Sequence, residues 1–492
     1  MSAAENTVRT WSDYQKAIFD FVANGQGNAI VKAVAGSGKT TTIVEATRLA
    51  RGQVVFLAFN KAIQVELAKR GVNAKTFHSL CFSPVKRALG GEMVEDKTDR
   101  IFNDAVDTNL LTDTERRQYG SFVRRLVSLA KNSGVGCLIP DEESVWNEIV
   151  DHHDLDLDDE GATVARAIEI ARKVLAASNA SPDFDFDDML YRAVLDGVSL
   201  PKFDMVFVDE AQDTNSIRRA ILRKISGDGT RIIAVGDPAQ AIYGFQGADS
   251  NSLDLIADEF ACITLPLTVS YRCPQAVVRH AQKWVDHIES APNAAEGSVA
   301  AVDSWDHTLF QKGDMVVCRT TAPVVKLAFA LLKHKIPAVV LGREIGKGMK
   351  ALIKKMNAKG IDALLTKLEA HTTKECQRFI AKKQEGKAAN VRDRYEAIVN
   401  LIAGLHENER TIPALERLID GLFSDNGAAV TLCTIHKSKG LEAGRVIWLN
   451  SDKCPSRWAR QEWQRGQEAN LCYVATTRAI DSLILIQEEG AK

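Results

Sequence analysis

The sequence predicts an α/β fold with parallel sheets, and three stretches of the chain support that prediction. Each is a short apolar run typical of a buried parallel strand, followed directly by polar or glycine-rich residues. The runs occupy residues 28–34, 205–208 and 231–236. Open α/β sheets bind ligands beyond the carboxyl ends of their strands, so the residues after these runs form the candidate site.

The first run leads into the glycine-rich sequence AVAGSGKTT, residues 33–41. A strand, a glycine-rich turn and a helix N-terminus form an anion site, because free backbone N–H groups and the helix dipole point at the phosphates. The sequence therefore predicts a P-loop that binds a nucleoside triphosphate. The segment after the loop has helical spacing, and its expected inward residues are Ile43, Val44, Ala46, Leu49 and Ala50.

The P-loop residues have distinct expected tasks. Gly36 and Gly38 allow a close approach of the backbone, Lys39 supplies a charge for the outer phosphates, and Thr40 offers a hydroxyl to Mg²⁺. The strict pattern has glycine where Ala33 stands. An ordinary glycine turn is the alternative, and the strand before and helix after the loop disfavour it.

The second run ends at the adjacent carboxylates Asp209 and Glu210. We expect Asp209 to hold Mg²⁺ through water and Glu210 to orient and deprotonate the attacking water. A base positioned in this way contributes about 10²–10⁴ in rate. Adjacent carboxylates on a surface turn are common, but their position after an apolar strand favours the functional interpretation here.

The third run ends at Asp237 and Gln240, and two aromatic residues, Tyr243 and Phe245, follow in a glycine-containing loop. Exposed rings near a phosphate site can stack on the bases of a single strand, at about 1–3 kcal/mol for each base. The alternative is that both rings belong to the core, and their loop setting weighs against it.

Composition limits the class of protein. The chain has 492 residues, of which 45% are hydrophobic and 26% charged, as expected of a globular protein with several domains. No apolar run reaches the length of a membrane span, and the N-terminus lacks the pattern of a secretion signal. We therefore expect a cytoplasmic protein with no membrane partner.

The nine cysteines are scattered without a C-x-x-C pair, which indicates neither a zinc site nor a disulfide framework. Most are expected to be small buried apolar residues.

Charge is unevenly distributed along a chain whose net charge is −2. Residues 141–160 carry ten acids and no lysine or arginine, which favours a solvated helical face. Residues 343–394 carry 14 lysines and arginines against 6 acids. That basic segment is either a solvated face or a contact for nucleic acid phosphates, and the sequence leaves both interpretations open.

The order of motifs resembles the UvrD/Rep-type superfamily 1 DNA helicases over most of the chain, and alanine at the position of Ala33 is common in that family. The matching strings are TWSDYQKAIFDF, AGSGKTT, FLAFNKAIQVELAKR, TFHSL, FDFDDML, VDEAQDT, GDPAQAIYGFQGA, LTVSYRCP, TLCTIHKSKGLEAGRVIWLN and NLCYVATTRAI. The resemblance implies two RecA-like P-loop motor domains with parallel sheets, each with a mostly helical insertion. It also implies ATP and Mg²⁺ as cofactors.

The resemblance assigns roles to individual residues. Gln15 would read adenine, Tyr271 would stack on it, Gln240 would sense the γ-phosphate, and Arg272 and Arg478 would reach that phosphate. An arginine supplied in this way can be worth about 10³–10⁵ in rate. Catalysis is expected to run through Lys39, Thr40, Asp209, Glu210, Gln240, Arg272 and Arg478.

Nucleotide and strand contacts follow from the same motifs. The expected nucleotide-binding residues are Gln15, Ala35, Gly36, Ser37, Gly38, Lys39, Thr40, Thr41, Tyr271, Arg272, Gly440, Glu442 and Arg478, with Thr40 and Asp209 at the metal. The expected DNA-binding residues are Phe59, Asn60, Thr76, Phe77, His78, Tyr243, Phe245, His436 and Lys437.

The motifs also predict the domain limits. The first motor domain takes residues 1–85 and 183–266, with a helical insertion at 86–182. The second takes residues 267–342 and 426–492, with a reduced, basic and helical insertion at 343–425.

The resemblance implies an ATP-dependent 3′–5′ DNA helicase or single-strand translocase in replication, repair or recombination. Single-stranded DNA and junctions of single and double strands would be its partners. The resemblance also implies a place in the cytoplasm of a bacterial cell, or of the host if the chain is phage-encoded. Two alternatives stay open: a translocase that strips proteins without efficient unwinding, and an ATPase subunit of a defence or repair complex with a protein partner still to be identified.

Overall fold

The computed structural model describes residues 10–107, 111–153, 155–157, 161–242, 251–423 and 430–487. The chain divides into two compact units, Met1–Ala33 with Gly38–Thr268, and Val34–Ser37 with Val269–Lys492. Each unit is built around its own parallel sheet. Within the described ranges, no helix is long and apolar enough to cross a membrane.

The first unit contains a six-stranded sheet, all parallel, in the order β3-β2-β4-β5-β1-β6. Its strands are β1 Ala29–Ala33, β2 Val54–Leu57, β3 Ala74–Lys75, β4 Phe203–Val208, β5 Ser226–Gly236 and β6 Ile263–Leu267. Its helices are α1 Asp13–Asn24, α2 Lys39–Thr47, α3 Lys61–Lys69, α4 Phe77–Leu89, α5 Lys97–Asp107, α6 Asp113–Ser133, α7 Glu143–His152, α8 Val164–Ala180, α9 Asp188–Leu195, α10 Ser216–Ile225 and α11 Ser252–Glu259.

Both faces of this sheet are covered, as a parallel sheet requires. Successive residues of β4 alternate between two apolar cores, with Val206 and Val208 on one face and Met205 and Phe207 on the other. The first core continues into helices α5–α8, where Trp146 is buried. The helices of the predicted insertion therefore share a core with the sheet.

The second unit contains a six-stranded parallel sheet in the order β11-β12-β10-β13-β14-β9, and a separate parallel pair, β7-β8. Its strands are β7 Val269–Ser270, β8 Glu289–Ser290, β9 Ser298–Val302, β10 Met315–Cys318, β11 Ala338–Val340, β12 Val430–Thr434, β13 Ala443–Leu449 and β14 Ala479–Ile486. Its helices are α12 Gln275–Ala281, α13 Ala322–Lys333, α14 Arg343–Lys355, α15 Ile361–Ala381, α16 Glu385–Ala403, α17 Ile412–Leu422, α18 Ile435–Ser438 and α19 Glu462–Thr476.

The predicted fold class is confirmed: the protein is α/β, with two parallel-sheet domains and mostly helical segments between their strands. Residues 343–423, predicted as a helical insertion, are mostly helical, in α14–α17. Seven of the nine cysteines are buried, and Cys137 and Cys262 are half-buried. The limits of domains and insertions drawn from the motifs stay a prediction.

The inward position predicted for Leu49 is wrong. Its side chain does not pack inward after the P-loop, and 41% of its surface is exposed. Helix α2 ends at Thr47, so Leu49 lies beyond it and the helical spacing no longer decides which way its side chain points.

Candidate active site

The P-loop begins where β1 ends, and its local geometry explains the glycines. Gly36 and Gly38 have φ angles of 73° and 77°, in the left-handed region that side chains with a Cβ avoid. Gly38 is also the N-cap of α2, so Lys39 and Thr40 stand at the first turn of that helix. Backbone N–H groups at a helix N-terminus favour an anion.

The strand ends that carry the predicted functional side chains are neighbours. β5 pairs with β4 on one side and with β1 on the other, all parallel, so their carboxyl ends meet at one edge of the sheet. β1 ends at the P-loop, β4 at Asp209 and Glu210, and β5 at Asp237. The three apolar runs of the sequence thus bring their polar ends together.

Lys39 and Glu210 form an ion pair across this edge. Lys39 Nζ lies 3.9 Å from Glu210 Oε1, and both side chains are largely buried. The backbone of Glu210 is left-handed, with φ 49° and ψ 43°. That conformation costs a residue with a Cβ about 1–2 kcal/mol, and such strain gathers at functional positions.

Asp209 is buried next to this pair. Burial, together with the adjacent Glu210 carboxylate, raises the pKa of Asp209 to about 7, against the opposing effect of Lys39. Its Oδ1 accepts a hydrogen bond from the Glu210 N–H at 3.0 Å. A bound cation would relieve the repulsion between these two adjacent carboxylates.

Gln240 is held by Asp237 at the end of β5. Its Nε2 donates to Asp237 Oδ2 at 2.7 Å, and the carboxylate also accepts from the Ala239 N–H at 3.0 Å. Burial raises the pKa of Asp237, while Lys39 lowers it. The predicted γ-phosphate sensor is therefore fixed in place by a buried carboxylate.

Gln15 lies beside the P-loop in α1. Its Nε2 donates to Thr42 Oγ1 at 2.8 Å, and its Oε1 accepts from the Ser12 N–H at 3.0 Å in a capping box. A Cβ added to Gly38 would come within 3.7 Å of Gln15 Nε2. Adenine recognition by Gln15 stays a prediction.

The second unit brings four of the predicted nucleotide-site residues into one group. Arg272 Nε lies 2.6 Å from Glu442 Oε2, and its Nη1 donates to the Thr477 carbonyl at 3.3 Å. Arg478 is buried and donates from Nε to the Val474 carbonyl at 2.9 Å. Its other nitrogens donate to the Leu441 carbonyl and to Thr477 Oγ1, each at 3.1 Å. Gly440, with φ 85°, precedes Leu441 in the same turn.

Tyr271 precedes this group in the chain, directly before Arg272, and 49% of its surface is exposed. An exposed ring of this kind is available for stacking. Its predicted contact with adenine stays a prediction.

In the first unit, the residues predicted to contact the DNA strand lie at the starts of two helices. Asn60 is the N-cap of α3 and accepts from the Ile63 N–H at 3.0 Å, and Thr76 caps α4 through Ser79. Phe59 is 37% exposed, whereas Phe77 is buried in the core. Contact of these residues with a strand stays a prediction.

In the second unit, the residues predicted to contact the DNA strand lie in α18, directly after β12. Burial lowers the pKa of His436 to about 4, and the charge of Arg319 adds to the shift. Lys437 is exposed and forms an ion pair with Glu344 of α14. Tyr243 and Phe245 lie outside the described residues.

Two family profiles match the chain. Residues 14–261 match the UvrD/REP helicase N-terminal domain, and residues 343–490 match the UvrD-like helicase C-terminal domain. The chain belongs to the UvrD/Rep-type helicase family. The resemblance drawn from the motifs is thereby confirmed.

Curated relatives of the family align at low identity. ATP-dependent DNA helicase UvrD1 of Mycobacterium tuberculosis is 26% identical over 296 residues, which cover 52% of this chain and 37% of the relative. ATP-dependent DNA helicase PcrA of Staphylococcus epidermidis is 24% identical over 300 residues, covering 54% and 39%. F-box DNA helicase 1 of Gallus gallus is 25% identical over 540 residues, covering 99% and 50%. The chain spans half or less of the length of these relatives.

UvrD/Rep-type helicases use ATP, generally with Mg²⁺, and the residues present here fit that ion. Oδ2 of Asp209 is buried and has no hydrogen-bond partner among the described residues. The Thr40 side chain is close enough to favour the charged form of this carboxylate, although burial acts more strongly against it. Carboxylate and hydroxyl oxygens are the ligands that Mg²⁺ prefers, and Mg²⁺ usually completes its shell with phosphates and water.

Two residues without a predicted role stand out in this UvrD/Rep-type chain. Gln212 Nε2 donates to Glu210 Oε2 at 2.5 Å, and its Oε1 accepts from the Asp237 N–H at 3.1 Å. Gln212 therefore joins the predicted base to the end of β5. Its polar side chain just after an apolar strand was the available signal in the sequence.

Phe186 is the second such residue, and 55% of its surface is exposed. Its ring stacks on His78 with 3.8 Å between centroids and 24° between planes. An exposed aromatic ring flanked by acids in FDFDDML was the signal for it. Stacked, accessible rings can receive a nucleic acid base.

Proposed function

We propose that this chain is an ATP-dependent, Mg²⁺-dependent DNA helicase or single-strand translocase that moves 3′ to 5′. One observation carries the proposal: the Lys39–Glu210 pair stands beside buried Asp209, where the ends of β1, β4 and β5 meet. This arrangement supplies a phosphate charge, a carboxylate for Mg²⁺ and a base for water.

Hydrolysis in this proposal divides among the residues of the first unit. Lys39 holds the outer phosphates, and Thr40 and Asp209 hold Mg²⁺, which neutralises charge on the phosphates when bound. Glu210 orients the attacking water and accepts its proton. Gln240, fixed by Asp237, reports the γ-phosphate to the loop that follows.

Arg272 and Arg478 are proposed to neutralise charge on the transferring phosphoryl group. Their ordered hydrogen bonds and ion pair keep both guanidinium groups in defined positions, which limits the entropy lost when a phosphate is bound. The proposed substrate is single-stranded DNA, including junctions of single and double strands.

The decisive variants are Glu210→Gln and Lys39→Ala, assayed as ATP hydrolysis with and without single-stranded DNA. Glu210→Gln should reduce kcat by about 10²–10⁴, because the base is lost while the side chain keeps its shape. Glu45→Gln is the matched control, since Glu45 lies on the same helix as Lys39 and forms an ion pair with Arg48. Strand affinity should stay within about threefold in every variant. Full hydrolysis by both Glu210→Gln and Lys39→Ala would remove the assignment.

A strand-displacement assay on 3′-tailed, 5′-tailed and blunt duplexes separates the modes of action. Unwinding of 3′-tailed duplex alone supports the 3′–5′ helicase. DNA-stimulated hydrolysis without displacement would instead indicate a translocase that strips proteins. Activity that requires an added protein would indicate a subunit of a larger complex.

A further inference from the structure

Arg218 of α10 lies close to two of the rings that the motifs associate with the DNA strand. Its guanidinium carbon is 5.9 Å from the centroid of Phe59 and 5.8 Å from that of Phe77. A guanidinium over an aromatic ring is attracted by the ring quadrupole, and more strongly when both are shielded from water. One ring is partly exposed and the other is buried, so Arg218 connects a surface ring to the core.

The same side chain reaches the segment that carries the predicted hydrolytic carboxylates. The side-chain Nη1 of Arg218 donates to the Asp213 carbonyl at 2.9 Å. The backbone N–H of Arg218 donates to Asn215 Oδ1 at 3.0 Å. Asp213 ends the short 3-10 turn, Ala211–Asp213, that directly follows Glu210. Only that turn separates the Arg218 contact from the proposed base.

A second path starts at Asn215, the N-cap of α10, two residues after the turn. Its Nδ2 donates to Asn132 Oδ1 at 2.7 Å, and Asn132 Nδ2 donates to Asp187 Oδ1 at 3.3 Å. Asp187 directly follows Phe186, the ring stacked on His78. The two paths end at neighbouring rings, because His78 follows Phe77 in the chain. Burial lowers the pKa of His78 to about 4, and the charge of Arg218 adds to that shift.

We propose that Arg218 is a positioning residue that couples strand contact at Phe59 to the turn after Glu210, and so makes ATP hydrolysis respond to DNA. The inference rests on the proposed function. A base that stacks on Phe59 restrains its ring, and the guanidinium transmits that restraint to the Asp213 carbonyl. Packed interiors transmit such displacements because their side chains have no free volume to absorb them.

The neighbouring arginines of α10 provide the control. Arg219 and Arg223 both form ion pairs with Glu259, at 3.6 Å and 2.6 Å. Arg218 instead contacts Phe59 and the Asp213 carbonyl. Arg223→Gln removes a positive charge from the same helix and leaves the contacts with Phe59 and Asp213 in place.

The experiment compares Arg218→Lys and Arg218→Met with wild type and Arg223→Gln. Basal and DNA-stimulated kcat, the DNA concentration for half-stimulation and strand affinity are measured for each. Lysine keeps the charge but loses the planar fork that stacks on rings and reaches a carbonyl. Both Arg218 variants should lose about tenfold in the ratio of stimulated to basal kcat, with strand affinity within about threefold.

A second measurement guards against misfolding: the midpoint of thermal unfolding is determined for each variant beside wild type. Arg218→Lys keeps the charge and most of the side-chain volume, so we expect its midpoint to stay close to that of wild type. An unchanged ratio in both Arg218→Lys and Arg218→Met, or an equal loss of basal and stimulated kcat, would overturn the inference. Wild-type protein that DNA does not stimulate would instead overturn the proposed function, so the two failures are distinguishable.

Discussion

Asp188 neutralises two buried lysines, so its replacement by asparagine gives a sharp test of the energetics of the first unit. Its Oδ2 lies 2.7 Å from Lys97 Nζ, and its Oδ1 lies 2.7 Å from Lys131 Nζ. All three side chains are at most 4% exposed. Lys131 also meets Asp185 at 3.0 Å, and although burial opposes its charge, the two carboxylates raise the pKa of Lys131.

Asp188→Asn leaves Lys131 with Asp185 but takes the paired carboxylate from Lys97. Breaking a buried pair costs about 3–5 kcal/mol. Deprotonating a lysine of ordinary pKa at pH 7 costs about 5 kcal/mol, which sets the ceiling. If Lys97 escapes by deprotonation, its pKa in the folded variant lies below that in the unfolded chain. The stability deficit should then shrink as pH rises towards 10.

The assay is hydrogen exchange of peptides from α6, because a protein of two units need not unfold in one step. A loss of about 3–5 kcal/mol should speed exchange through unfolding by about 10²–10⁴, at about 1.4 kcal/mol for each factor of ten. The control is Asp96→Asn, whose exposed pair with Arg100 is worth less than about 1 kcal/mol. Adding Lys97→Met to Asp188→Asn should restore part of the loss, because no uncompensated charge remains. Exchange in Asp188→Asn no faster than in the control would refute the reasoning.

Two further predictions concern the candidate site. Gln212→Leu should lower kcat about 10- to 100-fold with little change in KM for ATP, because a hydrogen bond to charged Glu210 is worth about 1.5–3 kcal/mol; equal changes in kcat and KM would contradict this. His436 should stay neutral until pH approaches 4, by NMR titration of its ring. Since its folded pKa lies below the unfolded value, its contribution to stability is complete above pH 6.5. It falls between pH 6.5 and 4 by up to about 3 kcal/mol, and a normal titration near 6.5 would contradict this.

The fold and the edge of the sheet that carries the site were predictable because their signals are local. A parallel strand buried on both faces reads as a continuous apolar run, and the polar residue after it marks the carboxyl end. The positions of Lys39, Asp209 and Asp237 follow from that pattern. Their adjacency follows once β5 lies between β4 and β1.

Residues that act through tertiary contacts were not predictable in the same way. Gln212 is important because two strand ends converge on its amide. Arg218 is important because the starts of two helices each place an aromatic ring near its guanidinium group. Neither relationship has a fixed spacing in the sequence. The prediction for Leu49 was wrong for a different reason. Helix α2 ends at Thr47, and the spacing of apolar residues does not indicate where a helix ends.

Asn60 and Thr76 each combine a predicted contact with DNA and the capping of a helix. Both match motif positions that are expected to contact the DNA strand, and in the structure each caps a helix. Asparagine and threonine are favoured N-caps, and their replacement by alanine costs about 0.5–2 kcal/mol of helix stability. The caps fix the backbone from which Phe59 and Phe77 extend towards Arg218. A lower affinity for DNA after alanine substitution would therefore have two causes: the lost contact of the side chain itself, and the displacement of the neighbouring ring. Asn60→Asp and Thr76→Ser, which retain the caps, separate those two causes.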